Sequence, residues 1–248
     1  MMRHPIPTSQ TLRILCCAWA LQLVAASPIL AEDYQLKLTQ WWEGGYGGSV
    51  LNKAEAYQGV PLLRGQTALL PAGSRMELVG SGGEVFRLGG ASSLTLLHDR
   101  QFRFWEGALL LYLPDSSHAL RLQGPATEFW IQGEGTLAIQ VTSNRGMKIV
   151  CLSHQPALKV AGNAKALQPG QVYFLPPGVP RIGRSLTIDL DRFVSTSGLL
   201  QGFKGRLPSG RQIRKNAFRQ STIIQRRTRM FVGDATSPEE FDLLLLED

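Results

Sequence analysis

Residues 73–97 read GSRMELVGSGGEVFRLGGASSLTLL, with glycines arriving in pairs, first in GSGG and then in LGG. Two readings compete for such a pattern. A phosphate-binding loop places its glycines directly after a buried strand and directly before a helix, so that backbone N–H groups and the helix N-terminus face the anion. Here EVFRL follows GSGG and reads as another short extended segment. No Lys-Ser or Lys-Thr stands at the required spacing, and no GxGxxG can be aligned. The glycines are therefore predicted to be turn residues, supplying positive φ between strands.

The same rhythm runs outward from this stretch. RMELV, EVFRL, SLTLL, FRFW, ALLLYL, ALRLQ, EFWIQ, LAIQV, KIVCL, ALKV and VYFL succeed one another, each bounded by Gly, Pro, Asp, Asn or Ser. Short strands with frequent turn signals indicate an all-β architecture. Alternation in RMELV and LAIQV predicts strands with one wet face, whereas ALLLYL is apolar throughout and predicts a central strand. No 3.6-residue periodicity competes between Arg75 and Leu175. The prediction is a mainly β fold, a sandwich or a β-helical solenoid of short strands, followed by a C-terminal helical appendage.

The chain has 248 residues, 44% hydrophobic and 18% charged, which suffices for one well-buried domain with appendages. Its beginning is set apart. Arg3, His4 and Arg13 precede the apolar run LCCAWALQLVAA at 15–26, and SPILA closes at Ala31. This is the layout of a secretory signal peptide cleaved between Ala26 and Ala31, with an apolar run shorter than the roughly 20 residues of a membrane span. The expectation is an exported protein, periplasmic or extracellular. Cleavage leaves Cys151 as the single cysteine, so an internal disulfide is excluded. In MKIVCLS it shares a strand face with Met147 and Ile149 and is predicted to be a small buried hydrophobe. The expected organisation is a signal peptide at 1–31, a Gly- and aromatic-rich arm at 32–58, a β domain at 59–180 and a C-terminal extension at 181–248.

The order of motifs in the β region resembles the FecR domain. The residues carrying the resemblance are Gly73, Ser74 and Leu78, then Gly83 and Leu88, then Glu106 and Gly107, then Gly135 and Thr136, and finally Gly170 and Gln171. The resemblance covers about half of the chain that follows the signal peptide. It implies a periplasmic, β-rich, non-enzymatic module; the family's named member relays a signal from an outer-membrane iron transporter to a cytoplasmic sigma factor. LSHQPAL departs from the family's usual Glu-Gly turn. The resemblance thus points to a stand-alone exported FecR-like module.

Charge is unevenly placed around this region. Residues 32–180 carry 12 basic and 11 acidic side chains, whereas 181–230 carry 12 basic against 2 acidic and 231–248 carry 6 acidic and no basic ones. The basicity therefore belongs to the C-terminal extension. In PSGRQIRKNAFRQSTIIQRRTRMF at 208–231, Ile213, Ala217, Ile224 and Phe231 fall on one helical stripe, with Arg211, Lys215, Arg219, Arg226 and Arg229 on the opposite side. Ser209 is placed to cap this helix. It is predicted to dock on the domain and to present its basic face to an anionic protein, glycan or lipid headgroup surface. In TSPEEFDLLLLED, Ser237, Pro238 and Glu240 read as the start of a second, short, acidic-tipped helix. At the other end, QWWEGGYGG brings Trp41, Trp42 and Tyr46 together, either to pack an arm on the β core or to stack on sugar rings.

Signatures of chemistry are sparse. GxSxG, HExxH, CxxC and HxH do not occur, and His98, His118 and His154 are widely spaced. No catalytic, metal or cofactor site is assigned. Asp189 and Asp191 would share a face if TIDLDRF were a strand. Three readings follow: an exported FecR-like module for sensing or scaffolding through an envelope protein partner, a polysaccharide- or cell-wall-binding module using the tryptophans and the basic helix, and a metal-dependent β-barrel enzyme. Nucleic acid is not an expected partner.

Overall fold

The computed structural model describes residues 34–42, 50–51, 54–55, 59–114, 118–224, 229–230 and 245–246. The segment 1–31 predicted as a signal peptide, Tyr46 and Arg226 lie outside the described residues, as does most of the acidic tail.

Among the described residues fourteen strands precede the strand Gln171–Leu175 (β15), and every segment predicted as extended is extended. The GSGG pair behaves as expected: it closes the hairpin between β6 (Arg75–Gly80) and β7 (Val85–His98), with Gly83 at φ 84°. These glycines also clear space for a carboxylate, since a Cβ on Gly82 would lie 2.6 Å from Glu84 Oε1. The buried Glu84 pairs there with Arg100 and accepts a hydrogen bond of 3.1 Å from the Tyr34 hydroxyl.

The LGG pair does not make a turn, which corrects the expectation for this site. EVFRL and SLTLL are two halves of β7, and FRFW and ALLLYL are two halves of β8 (Gln101–Leu113). The two strands stay paired on either side of a register shift, from Gly89↔Ala108 to Ser93↔Glu106. Gly90 at φ 52° and Gly107 at φ 89° give the bend without ending the ladder, as a bulge does. Gly107 is also sterically required, because a Cβ would approach Ser92 Cα to 2.6 Å.

This bend folds one sheet into two layers. Layer 1 runs β1 (Leu36–Trp42), β6, the first half of β7, the second half of β8, β11 (Gly135–Val141), β12 (Met147–His154), β15 and β16 (Ser185–Thr187). Layer 2 runs β5 (Thr67–Leu70), the second half of β7, the first half of β8, β9 (Leu120–Gln123), β10 (Glu128–Gln132), β13 (Ala157–Val160) and β14 (Asn163–Ala166). The short pieces β2 (Val50–Leu51) and β3 (Ala54–Glu55) extend layer 2 beyond β5, and β4 (Pro61–Leu62) pairs with β1. Among the described residues all pairings are antiparallel except β8 with β9. The architecture is a sandwich made by bending a single sheet, not a solenoid.

Leu88, Leu109, Leu111, Ile139 and Ile149 of layer 1 meet Leu94, Phe102, Phe104, Phe129 and Ile131 of layer 2 in the interior. Phe86 and Phe102 touch across the gap with ring centroids 4.8 Å apart. Each such fully buried side chain contributes about 1.5–3 kcal/mol. Cys151 lies in this core, fully buried, and burial pushes its thiol up to about 12.

Layer 1 is apolar on its outer face as well. Val85, Leu110, Val150, Leu152, Val172 and Phe174 are covered there by residues of the C-terminal region, including Leu190, Leu207, Ile213 and Ala217. This second cover explains why ALLLYL is apolar throughout. The covering elements are α1 (Leu190–Thr196), α2 (Gly198–Gln201) and α3 (Gly210–Ile224). TIDLDRF is therefore not one strand: Asp189 caps α1, accepting from the Arg192 amide at 3.0 Å. No helix among the described residues is long and apolar enough to cross a membrane.

Candidate functional site

Helix α3 carries three of the residues predicted as partner contacts, and its seating is specific. Ile213 and Ala217 are buried in the outer cluster of layer 1. Asn216 donates to the Leu152 carbonyl at 3.1 Å, while Gln220 accepts from the Leu190 amide at 2.9 Å and donates to the Gly170 carbonyl at 3.3 Å. Ser209 stands just before the helix, but its hydroxyl is not spent as a cap. It lies 2.5 Å from the Thr136 hydroxyl of β11, which accepts from Ser153 of β12 at 3.0 Å, so a buried hydroxyl chain ties the helix start to the sheet.

A second tie is ionic. Glu77 of β6 and Arg87 of β7 are register partners on the outer face of layer 1, and their side chains meet at 2.7 Å. Arg87 is 1% exposed, donates to the carbonyls of Leu199 and Gly205 at 3.2 and 2.6 Å, and lies 4.5 Å from the Phe203 ring centroid. Glu77 in turn accepts from Thr39 and Gln40. One arginine thus fastens the α2 region and the following loop to the sheet.

With the apolar side of α3 engaged, Arg211, Arg214, Lys215 and Arg219 are exposed and form no ion pair among the described residues. Successive members of the set Arg211, Lys215 and Arg219 stand about 6 Å apart along the axis. Phe218, 71% exposed, lies within about 60° of Arg211, Arg214 and Lys215 around the helix. The sequence reading did not single out Phe218, although the same 100° wheel that assigned Ile213 to the buried stripe puts it on the opposite side. Beside the helix a cleft of about 380 Å³ is lined by His154, Gln212, Asn216 and Arg219, with His154 Nε2 3.2 Å from Glu134.

The remaining predicted contacts are not brought to this surface. Among the described residues α3 spans Gly210–Ile224, and Arg229, predicted to lie on the same helix, is on the short strand β17 (Arg229–Met230), paired with β18 (Leu245–Leu246). Arg229 is therefore not part of the helix face, and Leu245–Leu246 are extended rather than helical. Trp41 sits on β1 opposite Met76 and packs against the interior cluster; Trp42 pairs in register with Arg75. Among the described residues no group of three or more His, Cys, Asp or Glu side chains is placed to hold a metal ion.

The residues on which the expected FecR resemblance rests include glycines at turns and bends and side chains of the interior. Gly73, Gly83, Gly107 and Gly170 all have positive φ, and Ser74, Leu78, Leu88 and Thr136 are fully buried.

No protein-family model and no curated protein matches the chain. Two solved structures, each of a candidate anti-sigma factor from Parabacteroides distasonis ATCC 8503, are similar to it, each with a TM-score of 0.40. One is 9% identical, with 49% of this chain and 59% of that chain covered; the other is 8% identical, with 73% and 98% covered.

Proposed function

We propose that this protein is an exported, non-catalytic FecR-like module that senses or scaffolds in the cell envelope by holding an acidic protein partner on helix α3. The observation that carries the reading is Phe218, a 71%-exposed aromatic on the same side as Arg211, Arg214 and Lys215 of a helix fixed to the sheet. An exposed phenyl ring gains by being desolvated, and aromatic and arginine side chains dominate the energetics of protein interfaces. Neighbouring cations steer an acidic surface to it and fix the register. Because α3 is already docked, little ordering entropy opposes association.

A photo-crosslinking residue at position 218, introduced into the protein in cells of its source, tests this. A discrete protein adduct is expected, lost when Arg211, Lys215 and Arg219 are changed to Glu, and weakened in 1 M salt where the Debye length falls to about 3 Å. Failure to form an adduct, or an adduct indifferent to charge reversal, would show that α3 is not the contact.

A further inference from the structure

The opposite side of the sandwich has a groove of its own. Layer 2 turns Arg103, Trp105, Arg121, Gln123 and Trp130 outward, and no helix among the described residues covers them. Where β5, β7 and β8 run beside the β11–β12 turn, they enclose about 640 Å³. Trp105 stands in this groove 47% exposed, with the Arg103 guanidinium 5.9 Å from its ring centroid. Arg145 enters from the β11–β12 turn at φ 66°, a left-handed position that Asn or Gly would occupy with less strain. Thr67 and Thr95 face the groove with their hydroxyls 2.8 Å apart, and Glu106 lines it beside Trp105.

We infer that this groove binds an oligosaccharide bearing carboxylates, a uronate chain. A half-exposed indole offers an apolar face against which the C–H side of a sugar ring stacks. Two guanidinium groups match carboxylates, which they grip in a bidentate fork. Threonine hydroxyls both donate and accept, as sugar hydroxyls require. Glu106 decides against a nucleic acid: a carboxylate accepts from sugar hydroxyls, whereas a phosphodiester backbone presents it only with like charge. Arg145 forms no ion pair among the described residues, so the groove is net positive before anything binds.

Binding of an oligogalacturonate of about six units to the full chain, followed by tryptophan fluorescence and calorimetry, tests the inference. Saturable binding is expected, with neutral maltohexaose at least tenfold weaker. Trp105→Ala and Arg145→Asn should each weaken binding at least tenfold; both sites are exposed, and Asn suits the positive φ of the turn, so both variants should fold. Any of three results overturns the proposal: no saturable binding of the oligogalacturonate, equal binding of oligothymidylate or polyglutamate, or an undiminished Trp105→Ala. The charge reversals on α3 lie on the other face and should leave this binding unchanged, so the two surfaces succeed or fail separately.

Discussion

Arg87→Met isolates the tie between helices and sheet. Methionine refills most of the volume, so the loss is chiefly electrostatic. The guanidinium leaves behind Glu77, whose Oε1 keeps Thr39 at 2.8 Å and Gln40 at 3.0 Å but whose Oε2 loses its partner at 2.7 Å. Orphaning one member of a buried ion pair costs about 3–5 kcal/mol, and the two surviving hydrogen bonds place this case near the lower end. The cation–π contact with Phe203 adds to the loss, and the Leu199 and Gly205 carbonyls lose a donor. With a urea slope of about 2 kcal/mol per molar, the midpoint should fall by about 1.5–2 M. The double change Glu77→Met with Arg87→Met removes the stranded charge and should recover more than half of that loss. Hydrogen exchange adds a local readout: amides of 199–213 should lose protection before those of β8. A single-variant midpoint within about 0.5 M of the parent, or a double variant no better than the single, would refute the assignment of Arg87 as the fastener.

Gly107→Ala should be severely destabilising, by about 3 kcal/mol or more, because φ 89° and the nearby Ser92 backbone both forbid a Cβ; Gly90→Ala, at φ 52° with open space around it, should cost only about 1 kcal/mol, and urea titration of the pair compares them. Cys151 should resist alkylation at pH 8 in the folded protein, since its thiol is fully buried and pushed up to about 12, and should react on unfolding, as residue-resolved mass spectrometry would show. Tyr34 is raised above its ordinary 10.0, first by burial and then by the Glu84 carboxylate. A proton held more tightly in the folded than in the unfolded state makes its contribution fully present below about pH 10 and lost as pH rises beyond it. Tyr34→Phe should therefore flatten the alkaline decline in thermal stability above pH 10, measured by calorimetry.

Much of this architecture is legible in the sequence because strand periodicity is local. RMELV and EVFRL around GSGG carry the pairing of Glu77 with Arg87, given a three-residue loop Ser81–Gly83 closed by Gly80 and Glu84. What local patterns miss is whether a glycine pair reverses the chain or merely bends it. At LGG the answer lies in Ser92 and Gly107, which come together only after β8 has returned alongside β7. Trp41 shows a second limit. Leu36 and Leu38 point inward, so unbroken alternation would send position 41 outward; a register shift between Leu38 and Gln40 reverses the parity and turns Trp41 into the core. The groove of layer 2 was visible in part, since FRFW places Phe102 and Phe104 on one face and Arg103 and Trp105 on the other. Arg145, forty residues later, joins them only through the fold.

The two faces of the bent sheet differ for a reason that bears on both proposed surfaces. Outward positions of layer 1 are Val85, Leu110, Val150 and Val172, which water would penalise, and the helices cover them. Outward positions of layer 2 include Arg103, Arg121, Gln123 and Lys159, whose desolvation a cover would have to offset, and none is provided among the described residues. Each face should then be left without exposed aromatic surface. Trp130 meets that expectation, with Arg121 5.5 Å from its ring centroid. Among the described residues the exposed aromatics are Trp105 on one side and Phe218 on the other. Trp105 has the Arg103 guanidinium 5.9 Å from its ring centroid, and Phe218 shares its side of the helix with Arg211, Arg214 and Lys215. The two proposals give each ring a cover, an acidic protein over Phe218 and a uronate chain over Trp105.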